Sequence, residues 1–340
     1  MKAIGYIESQ PIDAADALID FETQVPVAQG HDLLIEVLAV SVNPVDTKIR
    51  QRVSPQDQQP KVLGWDAVGI VRAIGDKVTL FKEGERVWYA GDLTRAGSNA
   101  EFQLVDERIV GKAPTNWSDE QAAAMPLTVI TAWELLFDRL QVSRDAAGKD
   151  VRLLITGAAG GVGSVMVQLA RQLTGATVIA TASRPESQRW VTELGAHYVL
   201  DHSQPLAPQL EANGLDDVTH VASLTHTEQH FSALVEMLKP QGRLALIDDP
   251  AEPLDIMSMK MKSLSLHWEF MYTRSMYQTE DMAKQRDLLN EISELIDAGT
   301  LKTTLGENYG TINATNLKRA HGDLESGRTI GKIVLEGFDH

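Results

Sequence analysis

The segment LLITGAAGGVGSVMVQLAR, from Leu153 to Arg171, constrains the fold of this chain more than any other. An apolar run breaks at a cluster of glycines and alanines, and a helix-like apolar pattern then resumes. This change of pattern predicts a strand that turns sharply into a helix. Strand-like and helix-like segments continue to alternate to about Asp248. Their spacing predicts a doubly wound parallel sheet in an α/β protein.

The glycines of this turn fit most of a dinucleotide-binding pattern. Ala158, Gly160 and Gly163 hold the three key positions of Gly-x-Gly-x-x-Gly, and Gly161 adds a further glycine. The N-terminus of the following helix would offer free N–H groups and a positive dipole end to a pyrophosphate. The alternative is a tight turn with a purely structural role. We expect Gly160, Gly161, Val162 and Gly163 to bind a dinucleotide cofactor.

The end of the next strand indicates which dinucleotide would bind. An NAD site places Asp or Glu about 20 residues beyond the turn, whereas a 2′-phosphate requires a cation there instead. The segment TVIATASRPES brings Ser183 and Arg184 to that point. Arg184 could also be an ordinary solvated loop residue. We interpret the pair as a 2′-phosphate site, which predicts NADPH as the cofactor.

The N-terminal part of the chain has a different pattern. Short β-like runs separated by Pro, Gly and Asp predict an irregular β-barrel or open sandwich. From about Asp119 the pattern becomes helical, with a break at Pro126, and the tail TIGKIVLEG is typical of a strand that rejoins the first part. A length of 340 residues also favours two domains.

Composition excludes several classes of function. The net charge of −16 disfavours nucleic acid and anionic membranes as partners. The chain has no cysteine, which excludes disulfides, thiolate zinc sites and a cysteine nucleophile. Acidic residues interrupt the N-terminal segment where a signal peptide needs an apolar core, and no apolar run approaches the about 20 residues of a membrane span. We expect a soluble, cytoplasmic protein with a small-molecule substrate.

Four segments carry a family resemblance: VSVNPVDTKIR, LGWDAVGIVRAIGDKVTLFKEGERVW, AAAMPLTVITAW and the AAGGVG turn. In this order and spacing they resemble the medium-chain dehydrogenase/reductase superfamily. Within it the chain is similar to the zinc-independent quinone oxidoreductase branch, and to members named zinc-type alcohol dehydrogenase-like proteins. The resemblance implies a GroES-like, β-rich catalytic domain over residues 1–125, completed by residues 270–340, and a Rossmann NADP-binding domain over residues 126–269. It also implies a homodimer formed by edge-to-edge addition of two Rossmann sheets.

The chain departs from the zinc-dependent relatives at the metal site. Those relatives bind the catalytic ion through cysteine and through the histidine of a Gly-His-Glu segment, which here reads Gly64-Trp65-Asp66. Their cysteine-rich structural-zinc lobe is also missing, because residues 91–100 connect two strand-like runs directly. The histidines of the chain show no paired ligand spacing. We therefore expect no metal.

Hydride transfer without a metal limits the choice of substrate. Zinc acts as a Lewis acid that polarises a carbonyl oxygen. Quinones and α,β-unsaturated carbonyls do not require it, because hydride addition leaves a delocalised anion that hydrogen bonds can stabilise. The predicted function is NADPH-dependent reduction of a quinone or enone. Reduction of a simple carbonyl or acyl chain is one alternative, and an NADPH-binding sensor or scaffold without turnover is another.

The resemblance also implies roles for single residues. Asn43 lies where quinone reductases place a polar residue beside the nicotinamide, and Asp46 and Lys48 follow on the same segment, so these three are the catalytic candidates. An Asn-Pro turn that opens a helix would explain the same residues. Thr131 and Lys332 match positions near the cofactor. A buried helix threonine and a surface-strand lysine would give the same pattern.

The aromatic residues Trp268, Phe270 and Tyr272 alternate along the segment HWEFMYTR. Alternation along a strand places side chains on one face, where these three would line a pocket for a flat ring. An apolar core strand would have a similar pattern. We take the three residues as the predicted substrate pocket.

Overall fold

The computed structural model of the chain describes residues 1–55, 59–144 and 149–338. The chain divides into two compact units, one over Met1–Ile130 together with Tyr272–His340, and the other over Thr131–Met271. Within the described residues, every helix is too short or too polar to cross a membrane.

The secondary structure changes along the chain from mainly strands to alternating strands and helices. In chain order the strands are β1 (Lys2–Tyr6), β2 (Ile19–Glu22), β3 (Asp32–Ser41), β4 (Lys61–Val62), β5 (Ala67–Ile74), β6 (Arg86–Tyr89), β7 (Phe102–Asp106), β8 (Val110–Lys112), β9 (Arg152–Thr156), β10 (Thr177–Thr181), β11 (Tyr198–Leu200), β12 (Val218–Ser223), β13 (Leu238–Leu246), β14 (Ser265–Trp268), β15 (Leu305–Asn308) and β16 (Lys332–Glu336). The α-helices are α1 (Pro44–Arg52), α2 (Asp119–Ala123), α3 (Pro126–Trp133), α4 (Gly161–Leu173), α5 (Pro185–Glu193), α6 (Leu206–Ala212), α7 (Thr227–Met237), α8 (Thr273–Tyr277), α9 (Lys284–Asp297) and α10 (Ala314–Glu325). A π-helix follows α3 at Glu134–Arg139, and 3-10 helices lie at Glu107–Ile109 and Ile256–Lys262.

The first unit is built mainly on antiparallel strands. One sheet has the order β2-β1-β4, and a larger one has the order β15-β16-β3-β5-β6-β8, with β7 also paired to β3. Strand β3 is the hub, because its ten residues pair with β5, β7 and β16. The pairing of β16 with β3 brings the C-terminal strand into this unit, as the sequence predicted. The predicted β-rich domain is confirmed.

The second unit is built on one parallel sheet with the order β11-β10-β9-β12-β13-β14. All of its neighbouring strands run parallel. In β9, the successive residues Leu153, Leu154 and Ile155 are all fully buried, as expected for a strand covered by helices on both faces. The order steps outward from β9 in both directions, so the topological switch point lies between β9 and β12. The predicted doubly wound sheet is confirmed.

Candidate active site

The glycine turn connects the carboxyl end of β9 to the N-terminus of α4. Gly157 has a φ of +63°, a left-handed conformation that favours glycine. A Cβ at Gly163 would lie 2.5 Å from the Cα of Ala158, so the helix packs against the turn as only glycine permits. A Cβ at Gly160, by contrast, would have Gly157 O at 3.4 Å as its nearest neighbour. The turn therefore holds the helix close and leaves space beside Gly160.

The N-terminus of α4 fits a phosphate group. Gly160 is the N-cap residue, and no side chain caps the helix there. The first intrahelical bond described is from Ser164 N–H to Gly160 O at 2.9 Å, so the N–H groups of Gly161, Val162 and Gly163 precede the helical ladder. Such N–H groups, at the positive end of a thirteen-residue helix, form an anion site. These residues fit the pyrophosphate of a dinucleotide.

The loop after β10 carries the two residues predicted to select the cofactor. Ser183 is half-buried, and Arg184 is the N-cap residue of α5 with a side chain that is 38% exposed. The Oε1 of Glu186 lies 3.4 Å from Arg184 Nη1. No Asp or Glu occupies residues 181–184 at the strand end, so a carboxylate for a ribose 2′-hydroxyl is not supplied by that segment.

A buried polar cluster lies in the first unit, where α1 begins. Asp66 is its centre: one carboxylate oxygen, Oδ2, accepts hydrogen bonds from Ser41 Oγ at 2.8 Å, Asn43 Nδ2 at 3.1 Å and Lys332 Nζ at 3.1 Å. The other oxygen, Oδ1, accepts from the N–H of Leu127 at 3.0 Å. None of the four residues is more than 4% exposed. We call Ser41, Asn43, Asp66 and Lys332 the lysine cluster.

Lys332 fixes the orientation of the Asn43 amide. Its ammonium donates to Asn43 Oδ1 and to Val42 O, the latter at 2.9 Å, in addition to Asp66. The amide of Asn43 therefore accepts from the ammonium at one end and donates to the carboxylate at the other. Burial lowers the pKa of Lys332, and the two nearby carboxylates of Asp66 and Asp46 oppose that shift.

Asp46 adjoins the lysine cluster as the third residue of α1. Its carboxylate accepts a hydrogen bond from the N–H of Asn43 at 2.6 Å and so caps α1. It also accepts from the N–H of Gly64 at 3.0 Å, which connects residues 64–66 to the helix. Burial raises the pKa of Asp46 to about 7, and Asp66 raises it further, while the N–H donors and Lys332 oppose the shift. Both sequence interpretations, helix cap and site residue, are therefore compatible with its position.

The donor set of this region does not fit zinc. Trp65 is fully buried, and its indole N–H donates to Asp92 O at 3.2 Å. The oxygens of Asp46 and Asp66 already accept from N–H groups, a hydroxyl and an ammonium. Over residues 1–55, 59–144 and 149–338, no group of three or more His, Cys, Asp or Glu is arranged to hold a metal ion. The cation that contacts Asp66 is the buried ammonium of Lys332.

The other predicted site residues are dispersed. Lys48 is half-buried on α1, and Thr131 is buried on α3. Trp268 and Phe270 belong to the second unit and are 54% and 48% exposed, whereas Tyr272 belongs to the first unit and is buried. Burial raises the pKa of Tyr272, and the carboxylates of Asp46, Asp66 and Asp92 raise it further.

The sequence interpretation missed the central role of Asp66 and the supporting role of Ser41. In the sequence, Asp66 is notable only because it stands where zinc enzymes have glutamate. A signal was present, because an acidic residue in the apolar run LGWDAVGIV requires a buried partner, and Lys332 in TIGKIVL is a basic residue in a similar run. The sequence offers no means of pairing the two.

Comparisons with known proteins agree with this architecture. Residues 29–115 match the family described as alcohol dehydrogenase GroES-like domain, and residues 194–335 match the family described as zinc-binding dehydrogenase. A zinc-type alcohol dehydrogenase-like protein of Staphylococcus epidermidis is 40% identical over 336 residues, which are 98% of this chain and 99% of that protein. A quinone oxidoreductase of Mus musculus is 32% identical over 330 residues, 92% of this chain and 91% of that protein.

A solved structure extends the comparison to three dimensions. A protein of Rhizobium etli CFN 42, provisionally assigned as a zinc-dependent alcohol dehydrogenase, superposes with a TM-score of 0.96 at 53% identity. The match covers 100% of this chain and 99% of that one. Both the fold and the whole length of the chain are therefore shared with known proteins.

Proposed function

The chain belongs to the medium-chain dehydrogenase/reductase superfamily of oxidoreductases, and we propose that it reduces a quinone or an α,β-unsaturated carbonyl with NADPH and without zinc. Members of this superfamily use nicotinamide cofactors, and relatives at about 30% identity include quinone oxidoreductases. The observation that carries the proposal is the lysine cluster, in which Lys332 and Asn43 both donate hydrogen bonds to the carboxylate of Asp66.

The second unit holds the cofactor in this proposal. The N–H groups of Gly161, Val162 and Gly163 bind the pyrophosphate, and Ser183 with Arg184 binds the 2′-phosphate. NADPH supplies the hydride, so the protein contributes binding, orientation and electrostatics. Thr131 is a further residue of this unit that we assign to the cofactor site.

The first unit supplies the polar groups for the substrate. Asn43, Asp46 and Lys48 are the catalytic residues that we propose, and Tyr272 is the aromatic candidate that lies near them. The amide of Asn43 is held at both ends, by Lys332 and by Asp66, so its orientation is fixed. Preorganised hydrogen-bond donors stabilise an anion that develops during hydride addition. Electrophilic activation by a metal is not needed for a conjugated substrate, which distinguishes this proposal from the reduction of simple carbonyls.

Stopped-flow measurement of NADPH oxidation tests the proposal. We expect rapid oxidation with a small quinone and with an α,β-unsaturated ketone, and none with the corresponding saturated ketone. Oxidation of NADPH by the saturated ketone alone would favour a carbonyl reductase. Tight NADPH binding without oxidation by any of the three compounds would favour a sensor or scaffold.

The assembly that we propose is a cytoplasmic homodimer joined through the second unit. β14 is the last strand of the parallel sheet, and apolar side chains around it are exposed, among them Met261 at 91% and Trp268 at 54%. An exposed apolar sheet edge is a pairing site for another chain. Light scattering is expected to give a dimer for the wild type and a monomer for Trp268→Lys. A monomeric wild type would contradict this assembly.

A further inference from the structure

Three histidines gather at the carboxyl edge of the parallel sheet, next to the loop that carries Arg184. His202 follows β11, His226 follows β12 and is the N-cap residue of α7, and His230 lies one turn further along α7. The rings of His202 and His230 meet edge to face, with their centroids 6.4 Å apart. Ligands of open α/β sheets bind at this edge, so the histidines lie at its ligand-binding side.

The His226 segment is tied to the glycine turn. A Cβ at Gly157 would come within 2.7 Å of Thr225 Cγ2, which places Thr225 against the turn. Thr225 Oγ1 is in turn 2.8 Å from Nδ1 of His226. His226 has a φ of +53°, a left-handed conformation that is uncommon for residues with a side chain. The backbone thus holds an imidazole beside the turn at which the pyrophosphate is proposed to bind.

The charge of Arg184 also affects the pKa of the histidine cluster. Partial burial lowers the pKa of His202, and the nearby His226 and Arg184 lower it further, while Asp201 opposes them. Partial burial lowers the pKa of His230 as well, and His202 and His226 contribute. In a chain with a net charge of −16, a concentration of basic groups at one site is exceptional.

Three acidic groups of the neighbouring segments accept hydrogen bonds from other residues, and a fourth, Glu186, pairs with Arg184. Asp201 accepts from both the N–H and the hydroxyl of Ser203. Glu228 accepts from the N–H groups of Ala251 and Glu252. Asp248 accepts from the N–H and the hydroxyl of Thr227, and Glu186 faces Arg184.

We propose that His202, His226 and His230 form, together with Arg184, a proton-dependent binding site for the 2′-phosphate of NADPH. The inference rests on the proposed function, because it deepens the choice of cofactor. The 2′-phosphate carries about −1.5 to −2 charges at pH 7, so it favours the protonated form of nearby imidazoles. Binding therefore takes up a proton onto the cluster, and preference for NADPH over NADH increases as the pH falls.

The sign follows from linkage. A bound phosphate raises the pKa of a nearby imidazole. Affinity for the phosphate therefore rises as the pH falls toward the pKa that the imidazole has in the absence of ligand. The second pKa of a phosphate is about 6, so below that pH the phosphate loses charge and the effect reverses. The informative window is therefore about pH 6.5 to 8.5.

The experiment compares the affinities of NADPH and NADH across that window by fluorescence titration. NADH is the matched ligand, because it lacks only the 2′-phosphate. We expect the ratio of the two affinities to rise about tenfold from pH 8.5 to pH 6.5. Calorimetry with adenosine 2′,5′-bisphosphate in two buffers of different ionisation enthalpy is expected to show net proton uptake, and AMP is expected to show none.

A triple variant tests the histidines themselves. In His202→Gln/His226→Asn/His230→Gln the ratio is expected to vary by less than about twofold across the window, because only Arg184 remains. Asparagine at position 226 tolerates the left-handed backbone. The control is His31→Gln, which removes a histidine of the first unit that pairs with Glu107 and is expected to keep the wild-type profile.

The outcomes separate this inference from the proposed function. A wild-type ratio that does not change with pH, or a triple variant that keeps the wild-type slope, would overturn the inference and leave NADPH-dependent reduction standing. Failure of both nucleotides to bind the wild type would overturn the proposed function and the inference with it. Unchanged affinity of the triple variant for AMP shows that its fold is intact.

Discussion

The ammonium of Lys332 lies 3.1 Å from the carboxylate of Asp66, although 266 positions of sequence separate the two residues. Both side chains are almost completely buried, at 5% and 0% exposure. The contact exists because β3 pairs with β16 on one side and with β5 on the other, and so holds the start of β16 and the start of β5 near each other. The position of this ion pair therefore depends on two strand pairings.

Lys332→Met is expected to lower the free energy of unfolding by about 3–5 kcal/mol, because it leaves Asp66 as a buried carboxylate without its cation. Urea unfolding at pH 7 measures the change. The control is Lys112→Met, which removes the partner of Glu85 at the surface and is expected to cost less than about 1 kcal/mol. Adding Asp66→Asn to Lys332→Met should restore part of the loss. Equal losses of unfolding free energy in Lys332→Met and Lys112→Met would contradict a buried ion pair.

Asp46 is expected to make stability depend on pH. Its pKa is raised to about 7 in the folded protein, against about 3.9 in an unfolded chain. The fold therefore favours the protonated form, and this contribution is present in full below about pH 4 and is lost as the pH rises through 7. Relative to Asp46→Asn, the wild type should lose on the order of 2 kcal/mol of unfolding free energy between pH 5 and pH 8. Urea unfolding of both proteins at these two pH values measures it, and parallel profiles would contradict the raised pKa.

The sequence predicted those parts of the fold that depend on residues close together along the chain. The alternation of strands and helices and the packing of Gly163 are local, and the structure bears out the parallel sheet that they predict. The ion pair of Asp66 and Lys332 joins residues that are far apart along the chain, and the pattern of a single sequence does not predict such a contact. The alternation of Trp268, Phe270 and Tyr272 predicts a single strand, but β14 ends at Trp268.

Two glycines of the turn are expected to respond differently to alanine. At Gly163 the added Cβ would meet backbone atoms at 2.5 and 2.6 Å, so Gly163→Ala should lower the free energy of unfolding by about 1–3 kcal/mol. At Gly160 the Cβ meets protein only at 3.4 Å, so Gly160→Ala should cost less than about 1 kcal/mol and yet weaken NADPH at least about tenfold by occupying the phosphate position. Thermal unfolding and fluorescence titration measure the two effects. Unchanged NADPH affinity in a folded Gly160→Ala protein would show that the turn is not the cofactor site.

Zinc is expected to be absent from the purified protein and unnecessary for its activity. The chain has no cysteine, and Trp65 and Asp66 stand where zinc relatives have His-Glu. Elemental analysis should find well below one zinc per chain, and incubation with EDTA should leave quinone reduction unchanged. One zinc per chain, with activity lost on chelation and restored by added zinc, would refute a metal-free mechanism.

Arg184 is expected to account for most of the preference for NADPH at high pH. An imidazole is ordinarily neutral at about pH 8.5, whereas the guanidinium of Arg184 keeps its charge and can bind the 2′-phosphate through its planar fork. Hydrogen bonds to charged groups contribute about 1.5–3 kcal/mol, which corresponds to a preference of at least about tenfold in kcat/KM. Arg184→Ala should therefore reduce kcat/KM for NADPH and leave that for NADH unchanged, whereas Arg189→Ala, an exposed arginine of the same helix, should change neither. Equal use of the two cofactors by the wild type, or a preference that survives Arg184→Ala, would mean that Arg184 is a solvated loop residue and that the end of β10 does not select the cofactor.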